Sequence, residues 1–277
     1  MRVRPILKLL NSLGVAKEVF ITYLKAELIR GKGAILGAIS LMIWLVLFIA
    51  PVMLFKGVST SASEISAKAF VALMIFLSYT VATWDWAWEL RWLNYQGILE
   101  YILASGRSIL THYLGLIPLS IIWFVGVTSL AYAMLSLLIA PPTLVIKSVT
   151  YLLLGFTQLL IILFSYSLIL GSVTISTGSA GPILEFLGWI LPIATGGIIP
   201  LANLPKVVQL IALATPFSYP AELIRYSLSI SSTVYNVHTE AIVGSAYSVA
   251  FLLISLLIFK TQIKKILREG IKSVALH

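Results

Sequence analysis

Cysteine is missing from this sequence altogether, and acidic residues and histidines are few, ten and three in 277 residues. Without a thiol there is no disulfide framework, no thiolate metal site and no cysteine nucleophile. The three histidines offer no convincing general base: His112 opens an apolar segment, His238 falls on the opposite expected side and His277 is terminal. The small-residue run Thr177 to Gly181 superficially resembles the Gly-Ser signature of intramembrane serine proteases, but a serine nucleophile needs a base in hydrogen-bond reach, which these histidines do not supply convincingly. No G-x-x-x-x-G-K-[ST] loop occurs, so this chain does not itself cradle ATP in that way. Charge of either sign is scarce, at 10% of residues against 60% hydrophobic.

What is present is apolar length. The mean hydropathy is +1.03, which excludes a soluble globule. A bilayer core takes about 20 apolar residues per helix. Six stretches qualify: 34–55, 68–88, 109–139, 148–176, 182–201 and 241–259. The expected fold class is an all-α integral membrane protein, one transmembrane domain over 1–277. It divides into an amphipathic N-terminus (1–33), a six-span bundle (34–259) and a basic tail (260–277). No removable signal peptide is expected, because the first 33 residues carry seven Lys/Arg and no early apolar core.

The net charge of +9 is distributed unevenly. Fourteen of the nineteen cations precede span one, occupy the 89–108 loop or follow span six; Lys56, Lys68, Lys147, Lys206 and Arg225 are left for the other side. Both termini are therefore expected in the cytoplasm, with the basic ends against anionic lipid. Nucleic-acid binding is not expected, since no folded basic groove is available.

The main polar interruption in the first half is ELRWLNYQGILEYILASGRS, Glu89 to Ser108. Tyr95, Ile98, Leu99, Ile102 and Leu103 recur at helical spacing on one face, with Gln96, Gly97 and Glu100 turned away. A short amphipathic helix between spans two and three is expected, opened at Gly97, stopped at Ser105-Gly106 and bounded by Arg107. Before it, Trp84, Trp86, Trp88 and Trp92 read as an interfacial aromatic belt. A stacking platform for a sugar or flat amphiphile is the sharper alternative. Asp85 and Glu89, four apart, project together. A carboxylate at that depth needs a partner, and Arg91 or Arg107 is nearest in sequence, so Asp85, Glu89 and Arg91 are expected to anchor the tip helix to its span.

Upstream, Ala16, Val19, Phe20, Tyr23 and Leu24 form an apolar stripe with Lys17, Glu18 and Lys25 opposite, imperfect because Glu27 falls within it. Gly33 and Gly37 form a G-x-x-x-G face compatible with a dimer seam. Pro141-Pro142 makes a stiff turn. Pro192, Gly196, Gly197 and Pro200 break the fifth segment, and the apolar core of NLPKVVQLIALATP is too short to cross, so re-entrant or interfacial helices are expected before span six.

Two of these motifs resemble the type-2 permease family of ABC transporters. The first comprises Glu89 and Arg91, then Gly97, Leu99 and Glu100, then Ala104, Ser105, Gly106 and Arg107, where family members often carry proline in the last cluster. The second comprises Pro200, Asn203, Leu204, Pro205, Pro216, Ala221, Glu222 and Arg225. The resemblance implies a permease subunit of an ATP-driven exporter in the cell membrane, not itself an enzyme. It would work as a dimer, a homodimer by expectation, with separate cytoplasmic ATPase subunits that bind ATP and Mg²⁺. It further implies that Gly97, Ile98, Leu99, Glu100, Ile102, Leu103, Ser105, Gly106 and Arg107 couple to the ATPase. Pro200, Asn203, Pro205, Pro216, Glu222 and Arg225 would belong to an outer gate, with Glu222 and Arg225 as a partly exposed intrahelical pair. An ion-coupled carrier is the rival reading. It calls for buried ionisable groups near mid-membrane, which the span sequences hardly offer; a membrane enzyme is a remoter one.

Overall fold

The computed structural model describes residues 3–29, 36–37, 39–40, 42–44, 46–47, 61–106, 108–177 and 181–270. Most of the first expected span, with Gly33 of its small-residue face, and Arg107 of the tip lie outside the described residues. Among the described residues the secondary structure is helical, with no strand.

Helix α1 (Val3–Tyr23) runs on into a π-helical segment, Leu24–Ile29. Helix α2 (Ala62–Thr80) starts where Ser61 caps it by accepting the Glu64 N–H at 3.2 Å, the satisfaction of an orphan donor that favours serine there. It continues through a second π-helical segment, Val81–Ala87, into α3 (Trp88–Tyr95). The short α4 (Ile98–Ala104) follows, then α5 (Ile109–Leu138) and α6 (Val149–Thr177). After these come α7 (Gly181–Ala194), α8 (Lys206–Leu213), α9 (Ser218–Ser227) and α10 (Val237–Glu269).

Four continuous helices are long and apolar enough to cross a membrane: Ala62–Tyr95, Ile109–Leu138, Val149–Ser176 and Val237–Glu269. The chain is thus a multi-pass, all-α membrane protein. The bent pair α8 and α9, meeting at 104°, brings the number of candidate spans to five among the described residues. The expected fifth span, 182–201, instead ends at Ala194. Pro192 lies in its last turn and cannot donate to the helix ladder, and the chain then turns through Gly196. The last span is longer than its apolar stretch: α10 runs unbroken to Glu269, so the first half of the expected tail is helix.

Helix α6 is the hub. It packs against α10, α9 and the Val81–Ala87 segment, and its span window is 72% buried against 28% for α5 and 22% for α10. A helix without charged residues suits that position, its buried serines and threonines bonding back to its own carbonyls, while α5 and α10 can present Ile121, Val125, Ile242 and Leu253 outward, as lipid requires. Chain direction puts the last turn of α3, the first of α5 and the last of α6 and α10 at one end of the bundle. Helix α1 packs on α5 near that same end, where a Cβ on Gly115 would stand 2.6 Å from the Ala16 carbonyl oxygen and 2.7 Å from Val19 Cβ. Only glycine admits that approach. The amphipathic stripe of the N-terminus is therefore a packing face for α5.

Candidate functional site

The tip is a two-helix elbow. Gly97 joins α3 to α4 at φ 70°, a left-handed geometry that a side chain resists. Leu99 is fully buried, and Ile102 and Leu103 pack on the same core. Ile98 and Tyr101 point away from it, 40% and 79% exposed. Tyr95 belongs to α3 and is exposed, so the single apolar face expected over Tyr95 to Leu103 is divided: its inner part seats the tip and its outer part is free. Glu100 is exposed, Ser105 Oγ donates to the Ile102 carbonyl at 2.8 Å, and Gly106 ends the turn at φ 66°.

Glu89 is held by residues from two other helices, not by Arg91. Tyr23 Oη donates to Glu89 Oε1 at 2.6 Å, and His112 Nε2 lies 2.8 Å from the same oxygen. Glu89 and His112 are each 9% exposed. Burial, then the Glu89 carboxylate, push the Tyr23 phenol far above its usual range, so it remains a donor. Arg91 lays its guanidinium over the Trp88 ring at 4.4 Å, because residues two apart on a helix face different ways. Glu89 thus ties α3 to the N-terminal segment and to α5.

Asp85 faces elsewhere, into a chamber of about 970 Å³ lined, among the described residues, by Tyr23 and the Leu24–Ile29 segment, Gly37 of the first expected span, the end of span two and α5. Trp84 and Trp88, with ring centroids 5.9 Å apart, line it together with Trp86, Trp92 and Trp123. Glu27 lines it too, which accounts for the acidic residue interrupting the amphipathic stripe. Burial raises its carboxyl above the usual 4.5, an effect the Trp123 indole opposes and the Glu89 charge reinforces. The Val81–Ala87 segment that carries Asp85 is π-helical, and its wider turn leaves a carbonyl for side chains to satisfy: Tyr113 Oη donates to Trp86 O at 2.8 Å, and Trp86 Nε1 donates to Ser120 Oγ at 2.9 Å.

At the far end of the bundle the expected pairing of Glu222 with Arg225 is replaced. Both are 1% exposed, not partly solvated, and no ion pair joins them. Arg225 donates to the carbonyls of Gly196 and Gly197, the latter at 2.8 Å, while Glu222 Oε1 accepts from the Leu201 N–H at 3.3 Å. Each charge thus ties the 195–201 turn to α9, and Tyr79 Oη extends the network to Thr195 Oγ1 and the Phe217 carbonyl. Pro200 caps the 3₁₀ turn Leu201–Asn203, whose Asn203 is exposed. Pro205 precedes α8, and Pro216 lies between α8 and α9. A second carboxyl, Glu240 on α10, was not singled out by sequence. It is fully buried and accepts from the Tyr235 N–H at 2.8 Å. Glu222 Oε2 and Glu240 Oε2 are both buried without a hydrogen-bond partner.

Tyr23, Glu27, His112, Trp123 and Glu240 are the residues that sequence reasoning missed. The broken stripe at Glu27 was the one local signal. No cluster of three or more His, Asp or Glu placed to hold a metal occurs among the described residues. No model of a known protein family matches the chain, and no curated protein matches it.

Proposed function

We propose that the chain is the membrane-spanning subunit of an ATP-driven exporter of the ABC type-2 permease kind, working as a dimer with separate ATPase subunits. The observation that carries this reading is the α3–α4 elbow. A buried Leu99 seats it in the bundle while Tyr95, Ile98 and Tyr101 stand exposed beside Glu100 at the end where the basic residues gather. Large exposed aromatic and aliphatic side chains on a small rigid element are what a protein partner grips. A cytoplasmic ATPase would seat Gly97 to Arg107 in a cleft, and nucleotide-driven closure would tilt spans two and three through the continuous rod Ala62–Tyr95. The N-terminal helix would serve as the elbow beside the first of six spans, both termini would be cytoplasmic, the membrane would be the cell membrane, and ATP and Mg²⁺ would reside on the partner. Coupling then needs only two permease states that the ATPase pair binds unequally.

The test is reconstitution. The full chain purified from its own membranes is expected to retain an ATPase subunit and to transport only with ATP. Full transport by the isolated chain defeats the proposal.

One observation favours the rival ion-coupled carrier: Glu222 and Glu240 are buried carboxyls with unpartnered oxygens, the kind of group such carriers use. Loss of transport on collapse of ion gradients, with ATP present, selects that reading.

A further inference from the structure

The chamber between the N-terminal segment, span two and α5 collects a strange share of the chain's chemistry. Five of the seven tryptophans line it, and so do three of the ten acidic residues, Glu27, Asp85 and Glu89. None of the nineteen lysines and arginines is among its described lining residues, in a chain whose net charge is +9.

Asp85, the only aspartate in the sequence, decides what this space can hold. It is exposed, because it opens on the chamber. Glu89 has Tyr23 and His112, whereas Asp85 makes no hydrogen bond or ion pair with any described residue. A carboxylate so placed is costly unless water or a countercharge meets it. Next to it the exposed Trp84 ring, tilted 43° to that of Trp88, offers a face of the kind that attracts a cation, as Trp88 already does for Arg91 at 4.4 Å. The volume of about 970 Å³ is that of a site for a drug-sized molecule, far more than a bare metal ion or a proton would need.

We propose that this chamber binds an amphiphilic organic cation. Its apolar body lies between the tryptophans and the α5 wall, and its charge is met by Asp85, with Glu27 as the outlying second carboxylate. Binding of this kind needs no ATPase and stands apart from the transport reading, so it can be tested on the chain alone.

The experiment is equilibrium dialysis of the full chain in lipid nanodiscs against tetraphenylphosphonium, with empty nanodiscs as the partition background and triphenylphosphine oxide as the neutral analogue. Wild type is expected to bind the cation saturably and the oxide not. Asp85→Asn, nearly isosteric, is expected to weaken binding by about tenfold or more, and Trp84→Ala severalfold, by loss of charge and of aromatic contact respectively. Asp85→Glu restores binding in large part, and Glu100→Gln on the tip leaves it unchanged. Thermal unfolding checks the fold of each variant, and any variant that unfolds is replaced by Trp88→Phe at the same ring pair. Equal binding by wild type and Asp85→Asn, or saturable binding of the oxide with the same affinity as the cation, overturns the proposal, as does absence of saturable binding by wild type.

Discussion

Glu89 on α3 and Tyr23 at the end of α1 are 66 residues apart in sequence and share a 2.6 Å hydrogen bond. Through it, and through His112 beside it, the N-terminal helix is fastened to the first turn of α3, the helix that leads into the tip. Whatever moves the tip moves the N-terminal helix as well.

Tyr23→Phe keeps the edge-on ring contact with His112, at 5.6 Å between centroids, and removes only the donor. Loss of a hydrogen bond to a charged acceptor is worth about 1.5–3 kcal/mol. A lower thermal midpoint and faster tryptic cleavage at the exposed Lys17 and Lys25 are expected; unchanged cleavage would show that the helix is held by packing alone.

Gly115→Ala attacks the same joint from the other side. Its new methyl meets the Ala16 carbonyl oxygen and Val19 Cβ well inside contact distance, an overpacking that costs about 1–3 kcal/mol. Cleavage at Lys25 is expected to rise as it does in Tyr23→Phe, and the double variant should be less than additive because both changes release one element.

Glu27 gives the joint a pH dependence. Its carboxyl is raised above 4.5 by burial, with Trp123 opposing and Glu89 reinforcing the shift, and Tyr23, Asp85 and His112 are the other titratable groups nearby. A raised acid binds its proton more tightly when folded, so its contribution favours the folded state at low pH and is lost as pH climbs from about 4.5 through the raised value. Glu27→Gln is expected to flatten that part of the profile of thermal midpoint against pH; a profile identical to wild type would contradict the partial desolvation of this group.

Charge reversal separates a salt bridge from two independent anchors in α9. Arg225→Ala leaves the Gly196 and Gly197 carbonyls without their donor and is expected to cost on the order of 3 kcal/mol. Arg225→Lys recovers only part, since an ammonium cannot fork to two carbonyls. Combining Glu222→Arg with Arg225→Glu should rescue nothing, as each side chain has its own backbone partner; recovery of stability in the double variant would reinstate the ion pair.

On the tip, Ile98→Asp and Tyr101→Asp alter exposed side chains and are expected to change stability by no more than about 0.5 kcal/mol. If the transport proposal holds, they abolish copurification of the ATPase subunit. Leu99→Asp, by contrast, buries a charge in the core and unfolds the tip, which thermal unfolding distinguishes.

The amino-acid sequence by itself determined that this chain crosses a membrane repeatedly as helices, since apolar runs of about 20 residues are the length of a spanning helix, in which every backbone group is satisfied within the segment. It also marked where the helices break: Gly97 admits the left-handed turn between α3 and α4, and Pro192, in the last turn of α7, and Pro205, just before α8, each lack the N–H that a continuing helix needs. The tip was legible because its spacing is local. The partners of Glu89, Arg225 and Asp85 were not. Sequence offered the nearest opposite charges, two or three residues away, yet helical geometry turns such neighbours aside or sends them to different carbonyls. Only the packing of α1, α3 and α5, 89 residues apart from Tyr23 to His112, brings phenol, carboxylate and imidazole together. The same packing leaves Asp85 facing open space, because a cavity belongs to no single segment and is defined only by what the surrounding helices fail to fill.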